Sequence, residues 1–197
     1  MARKLVAFAL ALAATGCAHR KPLENVALRW KPTDGIAATT NTVPRALSNH
    51  RVQVMPFEDG RESKELIGRN VENARTPLDV TSDGDVGGFC AERMRYVLTQ
   101  AGVDVAKDHG TLVITGQVTK FFVREENVYE GSVALRVVLK NRSGGTLWKG
   151  TVAGAAKRWG KSYSEDNYFE VLSDAYLRAL QELFQDEEFR AAVRAHA

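Results

Sequence analysis

The sequence predicts an α+β fold, a two-layer sandwich in which a mostly antiparallel mixed sheet carries two main helices on one face. Three observations predict it. The elements run strand, strand, helix, three or four strands, helix. From Tyr129 to Lys140, apolar and polar residues alternate with the period of a half-buried strand. Residues 82–100 and 165–183 instead carry apolar side chains at helical spacing. A sheet and helices with one apolar side each bury them against one another, so this order points to two layers.

The elements follow in chain order. Val26, Leu28 and Trp30 alternate with Ala27, Arg29 and Lys31, which reads as a first strand stopped by Pro32. Residues 33–49, with Gly35 and Pro44, read as an irregular connection. Arg51–Phe57 reads as a second strand, with Pro56 placing its end at an edge or turn. Residues 58–80 read as a long charged loop with room for one short strand. Ser82 or Asp83 is suited to cap a helix running to about Gln100, with Val86, Phe89, Cys90, Met94, Val97 and Leu98 on its apolar face and Gly102 stopping it.

A three-strand meander is expected next. Leu112, Ile114, Val118 and Phe122 share a face of its first strand. Tyr129, Val133, Leu135, Val137 and Leu139 share a face of its second, opposite Glu130, Ser132, Arg136 and Lys140. The third carries Leu147, Trp148, Val152 and the small run Ala153–Ala156, which permits close approach of a helix. Ser162 and Glu165 fit a capping box for the next helix, and Asp186–Glu188 opens a short last one. Residues 26–197 are thus read as one domain.

The start of the chain has its own logic. Arg3 and Lys4 precede an apolar run from Leu5 to Ala14, too short to span a bilayer and shaped like a secretory signal. Ala13-Ala14-Thr15-Gly16-Cys17 resembles a bacterial lipobox, with Ala14 where a Leu is usual. The resemblance implies a signal peptide over 1–16, cleavage before Cys17, and acylation of that residue, followed by a polar tether to residue 25. Several acyl chains anchor stably where one does not. By the same resemblance, the lack of Asp at Ala18 implies sorting to the outer membrane, with the domain facing the periplasm.

Composition narrows the classes. Of 27 basic residues, loss of Arg3 and Lys4 leaves 25 against 24 acidic, a net +1 over 181 residues. That balance argues against nucleic acid, or an anionic lipid patch, as the main business. With Cys17 assigned to lipid, Cys90 is alone and reads as a buried structural thiol.

The candidate chemistry is thin. Gly160-Lys161-Ser162 sits between strand and helix, but five residues separate Gly154 from Gly160 where a phosphate loop needs four. The four histidines lack second ligands at metal spacing, so neither a metal nor another cofactor is expected. Glu58, Asp59, Glu62 and Glu65 crowd Arg61 and Arg69. Paired carboxylates can do acid–base work, although mutually neutralising surface charges are commoner. Trp159, Tyr163, Tyr168 and Phe169 with Lys161 form an aromatic corner that suits a partner or a glycan, or core packing for two of the four. The residues selected for partner binding are Asp59, Arg61, Arg69, Trp159 and Tyr163.

Several short matches together resemble the YajG-type family of bacterial lipoproteins. They are the Cys17 lipobox, Val52-x-Val54-x-Pro56, Asp59-x-Arg61, Ile67-Gly68, Leu98-Thr99-Gln100-Ala101-Gly102, Leu112-x-Ile114-x-Gly116 and Gly145-Thr146-Leu147-Trp148. The resemblance implies an envelope lipoprotein with an α/β sandwich and no established activity, cofactor or catalytic residue. The function expected is therefore a non-enzymatic accessory module, bound to the membrane by lipid and to a protein or cell-wall partner by its sheet face or the 59–80 loop. The alternatives are a structural subunit of an envelope export or secretion complex, whose 128–140 strand is long enough for a barrel, and a hydrolase using the 59–69 loop.

Overall fold

The computed structural model describes residues 21–160 and 163–196. The order is α1 (Ile36–Thr40), β1 (Arg51–Val54), β2 (Glu58–Asp59), β3 (Leu66–Asn70), β4 (Leu78–Thr81), α2 (Val86–Gln100), β5 (Asp104–Ala106), β6 (Leu112–Glu125), β7 (Tyr129–Asn141), β8 (Thr146–Arg158), α3 (Glu165–Gln185) and α4 (Glu187–Arg194), with a 3-10 turn at Arg45–Asn49. The eight strands form one open mixed sheet, with the helices packed on it. The α+β two-layer expectation holds.

β6 organises the sheet. Along one edge it pairs antiparallel with β7 over its whole length, and β7 pairs antiparallel with β8. Its other edge is tiled by three short parallel strands, β1 at Val52–Val54, β2 at Glu58–Asp59 and β3 at Gly68–Asn70. β5 extends the sheet beyond β1, and β4 extends it beyond β3. The region read as a long charged loop therefore holds three strands. Segments of two to five residues are too short to show a period; β6 supplies the hydrogen bonds of β2 and β3, and β3 supplies those of β4.

The inward set on β7 matches expectation: Tyr129, Val133, Leu135, Val137 and Leu139 are all buried. On β6 it does not. Leu112, Ile114 and Val118 are buried, but the pairing slips at Thr119, because Val118 opposes Leu135 and Lys120 opposes Ala134. This β-bulge turns Phe121, Val123 and Glu125 inward and puts Phe122 on the opposite face.

α3 lies directly on β7 and β8 because small residues allow it. A side-chain carbon on Gly154 would come within 2.0 Å of the Ala175 carbonyl and 2.4 Å of the Ala179 nitrogen, and one on Gly131 within 2.9 Å of the Val171 carbonyl. Glu182 accepts from the Ala153 amide at 2.6 Å and Arg178 donates to the Ala155 carbonyl at 2.6 Å, so α3 also caps part of the outer edge of β8. α2 starts behind Asp85, whose carboxylate accepts from the Gly88 amide at 2.8 Å. The cap is thus neither Ser82, which instead accepts from the Gly84 amide, nor Asp83. α3 starts behind Ser164, whose side chain makes no cap bond. The Ser162 half of the expected capping box lies outside the described residues, as does Cys17.

The segment Val26–Trp30 is extended but is not a strand. Val26, Leu28 and Trp30 do point inward and Ala27 and Arg29 outward, as the alternation predicts. Its backbone, however, leaves the sheet after the Val26 amide bonds the Thr81 carbonyl. It then crosses to α3, where the Ser173 hydroxyl takes the Lys31 amide and the Asp174 carboxylate takes those of Thr33 and Asp34. Side chains on a helix replace the ladder, so the period of two survives without a neighbouring strand.

Candidate interaction sites

The five residues selected from sequence fall into three places. Asp59 ends β2, and its carboxylate grips the Arg61 guanidinium with two bonds, Nε–Oδ1 at 2.9 Å and Nη2–Oδ2 at 2.8 Å. Arg61 is 7% exposed. Its remaining protons go to the Leu66 carbonyl at 3.0 Å, the Lys64 carbonyl, and the Phe121 carbonyl at 3.5 Å, just past the bulge. Every one of those partners is internal, so Arg61 is a clamp that closes the 60–66 turn against β6 and offers nothing to another molecule. Burial pushes the Asp59 carboxyl up, but bonds from the Arg61 side chain and backbone, with the charges of Arg61 and Lys64, outweigh it and leave the carboxyl below the usual range.

Arg69 on β3 lies across from Asp79 on β4 and pairs with it, Nε–Oδ1 2.5 Å, both side chains being nearly half exposed. An open polar dip beside them is lined by Glu62, Lys64, Glu65 and Thr81. Exposed pairs of this kind add little stability and remain reachable by a partner.

Trp159 and Tyr163 mark the third place, and here the structure builds the most. Trp159 follows β8 and is 77% exposed, the most exposed large apolar side chain described. A cluster of tyrosines lies close by, since Arg158, the residue before Trp159, pairs with Tyr129. Tyr168 from α3 donates to Glu125 of β6 at 2.6 Å, and its ring stands edge-on to Tyr129 at 5.3 Å and to Tyr163 at 6.3 Å. Tyr168 is admitted by Gly68, where a side-chain carbon would meet its ring at 2.5 Å. Tyr163 accepts from the Leu23 amide at 3.2 Å, which ties the incoming chain to the same corner. Of the four aromatic residues in this corner, Tyr168 and Phe169 are core, Tyr163 is half-buried and Trp159 is free of the core.

Sequence reasoning missed Glu125, Tyr129 and Asn70 as members of this corner. Asn70 opposes Glu125 in the sheet, is 4% exposed, and its side-chain nitrogen has no partner among the described residues. Only the bulge puts Glu125 inside. Burial first, and the Glu125 carboxylate second, push the Tyr168 phenol far up. The Tyr129 phenol also rises, burial and Glu125 outweighing a bond from Asn167. Both phenols stay protonated at ordinary pH, so the cluster supports the corner by hydrogen bonding and supplies no nucleophile.

Elsewhere, an open groove of about 520 Å³ runs past Met55, Pro56, Thr99 and Lys107 at the end of β1. The Arg95 guanidinium in it is spent on the Val54 carbonyl, at 3.0 and 2.7 Å. Among the described residues no three or more His, Cys, Asp or Glu side chains are placed to hold a metal ion. No described helix is long and apolar enough to cross a membrane.

No family model and no curated protein matches this chain. The YajG-type resemblance therefore rests on the residues quoted for it. Solved structures with a related course of chain include protein XCC0632 of Xanthomonas campestris, described under the family model DUF330 (TM-score 0.47, 9% identity, 83% of this chain and 90% of that one). PelC of Paraburkholderia phytofirmans, a dodecamer, gives 0.39 at 16% identity over 66% and 86%. Lipoprotein GNA1162 of Neisseria meningitidis gives 0.29 at 12% over 60% and 89%. Likenesses of this size carry no functional conclusion.

Proposed function

We propose that the protein is a non-enzymatic envelope lipoprotein, anchored through acylated Cys17, and that it engages a protein or cell-wall partner through the corner that presents Trp159. The lipobox supports the anchor. The single observation that supports the binding surface is an exposed indole at the end of β8, next in the chain to a corner built from Tyr129, Tyr163, Tyr168 and Glu125. Exposed tryptophan is the kind of side chain that dominates binding energy, because the apolar area it can bury against a partner is large.

Crosslinking and mass spectrometry of the lipidated protein in its own envelope test the reading. A partner crosslinked near residues 158–163 is expected, with Trp159→Ala weakening capture about tenfold or more. Equal capture by the variant removes Trp159 from the site. Palmitate labelling tests the anchor separately: label in the native chain and none in Cys17→Ser is expected.

A further inference from the structure

We infer that the uncovered face of the sheet lies against anionic phospholipid headgroups of the membrane that holds the chain. The inference rests on the Cys17 anchor and is independent of the Trp159 corner.

Strand register places Lys120 of β6, Arg136 and Lys140 of β7, and Lys149 of β8 on the face turned away from the helices. Lys120, Arg136 and Lys149 are exposed and Lys140 is half-buried. None of the four has a carboxylate partner among the described residues, and Arg136 donates only to Gln117, at 3.2 Å. Farther along the same face, Arg124 and Lys157 are neutralised by Glu126 and Glu130. The unpaired cations therefore gather toward one end. From Ala134 to Lys140 the patch runs roughly 20 Å along β7, and its three strands span about 10 Å across. Ser132, Ala134, Thr151, Ala153 and Ala155 on the same face are short, and the larger Val138 and Phe122 beside them are half-buried.

Carboxylates collect on the other layer. Glu165, Asp166, Glu170, Glu187 and Glu188 belong to α3 and α4. Glu165, Asp166 and Glu170 are paired there with Arg29, Lys31 and Arg158, whereas the four sheet cations have no carboxylate partner among the described residues.

Two further observations choose the occupant. Most floor residues beside the cations are short, so an extended surface can approach them. Leu23 also bridges Val80 of β4 at the sheet edge, level with Val123 of β6 and so at the end of the face away from the unpaired cations. Five residues lie between Cys17 and Leu23, six Cα steps that reach about 20 Å when fully extended. An acylated Cys17 holds the sheet that close to the headgroups, so a modest attraction suffices to lay the basic face on them. Each cation brought to an anionic membrane contributes about fivefold in binding.

The test uses the chain from Ala18 onward, which carries no lipid and retains the whole core from Val26 to Val193. It is sedimented with vesicles of phosphatidylcholine, with and without phosphatidylglycerol. Binding to the phosphatidylglycerol vesicles alone is expected, weakening as salt rises. Arg136→Gln and Lys149→Gln each weaken it about fivefold and together about 25-fold, while Arg194→Gln on α4 leaves it unchanged. Indifference to phosphatidylglycerol, or equal binding by the double variant, overturns the inference. Retention on dextran sulfate without vesicle binding also overturns it, in favour of a soluble polyanion. The palmitate experiment on the full chain reads the anchor independently of all these outcomes.

Discussion

Arg61 and Asp59, two residues apart in sequence, form a two-pronged buried ion pair, and the same guanidinium reaches across to the Phe121 carbonyl beside the bulge in β6. One side chain thereby joins β2, the 60–66 turn and the central strand. Removing it strands a carboxylate whose side chain is only 15% exposed.

Arg61→Met is expected to cost about 3–5 kcal/mol of stability, because one partner of a buried pair is left uncompensated. Adding Asp59→Leu should recover part of the loss, since an apolar pair no longer carries a buried charge. Urea unfolding of the single and double variants measures both.

The same pair gives a pH dependence. The Asp59 carboxyl sits lower in the folded chain than its unfolded value of about 3.9. Its contribution is therefore complete above the unfolded value and is lost as pH falls through the folded one. The stability gap between the native chain and Asp59→Asn should be constant at neutral pH and shrink below about pH 4. A gap that widens on acidification contradicts the assignment.

Gly154→Ala is expected to cost about 1–3 kcal/mol, and Gly154→Val more, because the new atoms meet the backbone of α3, which has no rotamer with which to yield. Gly35→Ala, with nothing within 4 Å of the added carbon, should stay within about 0.5 kcal/mol. Thermal unfolding of the three variants makes the comparison.

Cys90 is fully buried, and burial pushes its thiol far up, the Arg61 charge pulling it back only in part. The thiolate is the reactive form, so a thiol reagent should leave Cys90 intact in native buffer and modify it once denaturant opens the core. Modification at the same rate in both conditions contradicts its place in the core.

Local chemistry made much of this legible. The β7 alternation named its inward residues correctly, the helix ending at Gln100 and its glycine stop are legible in the spacing although its cap is Asp85 and not Ser82 or Asp83, and the small run on β8 announced the close approach of α3. Where the readings failed, a distant element had supplied the hydrogen bonds. β2, β3 and β4 are too short to show a period; β2 and β3 exist because β6 offers them an edge, and β4 because β3 does. Val26–Trp30 alternates like a strand, yet Ser173 and Asp174 take the amides that follow it.

The candidate site divides in the same way. Sequence singled out Trp159 and Tyr163 as an aromatic corner, and Asp59 and Arg61 as charges crowded in one turn. It could not show that Arg61 is spent internally, because its acceptors at Lys64, Leu66 and Phe121 are backbone carbonyls, which any sequence possesses.

By itself, the sequence determined the fold class and the export-like start, because side-chain polarity and spacing act over a few residues. The tertiary structure alone decided which charges share a face. A net charge is a sum, and only the register of β6, β7 and β8, shifted by one residue at Thr119, sorts Lys120, Arg136, Lys140 and Lys149 to one side of the sheet and Glu125 to the other.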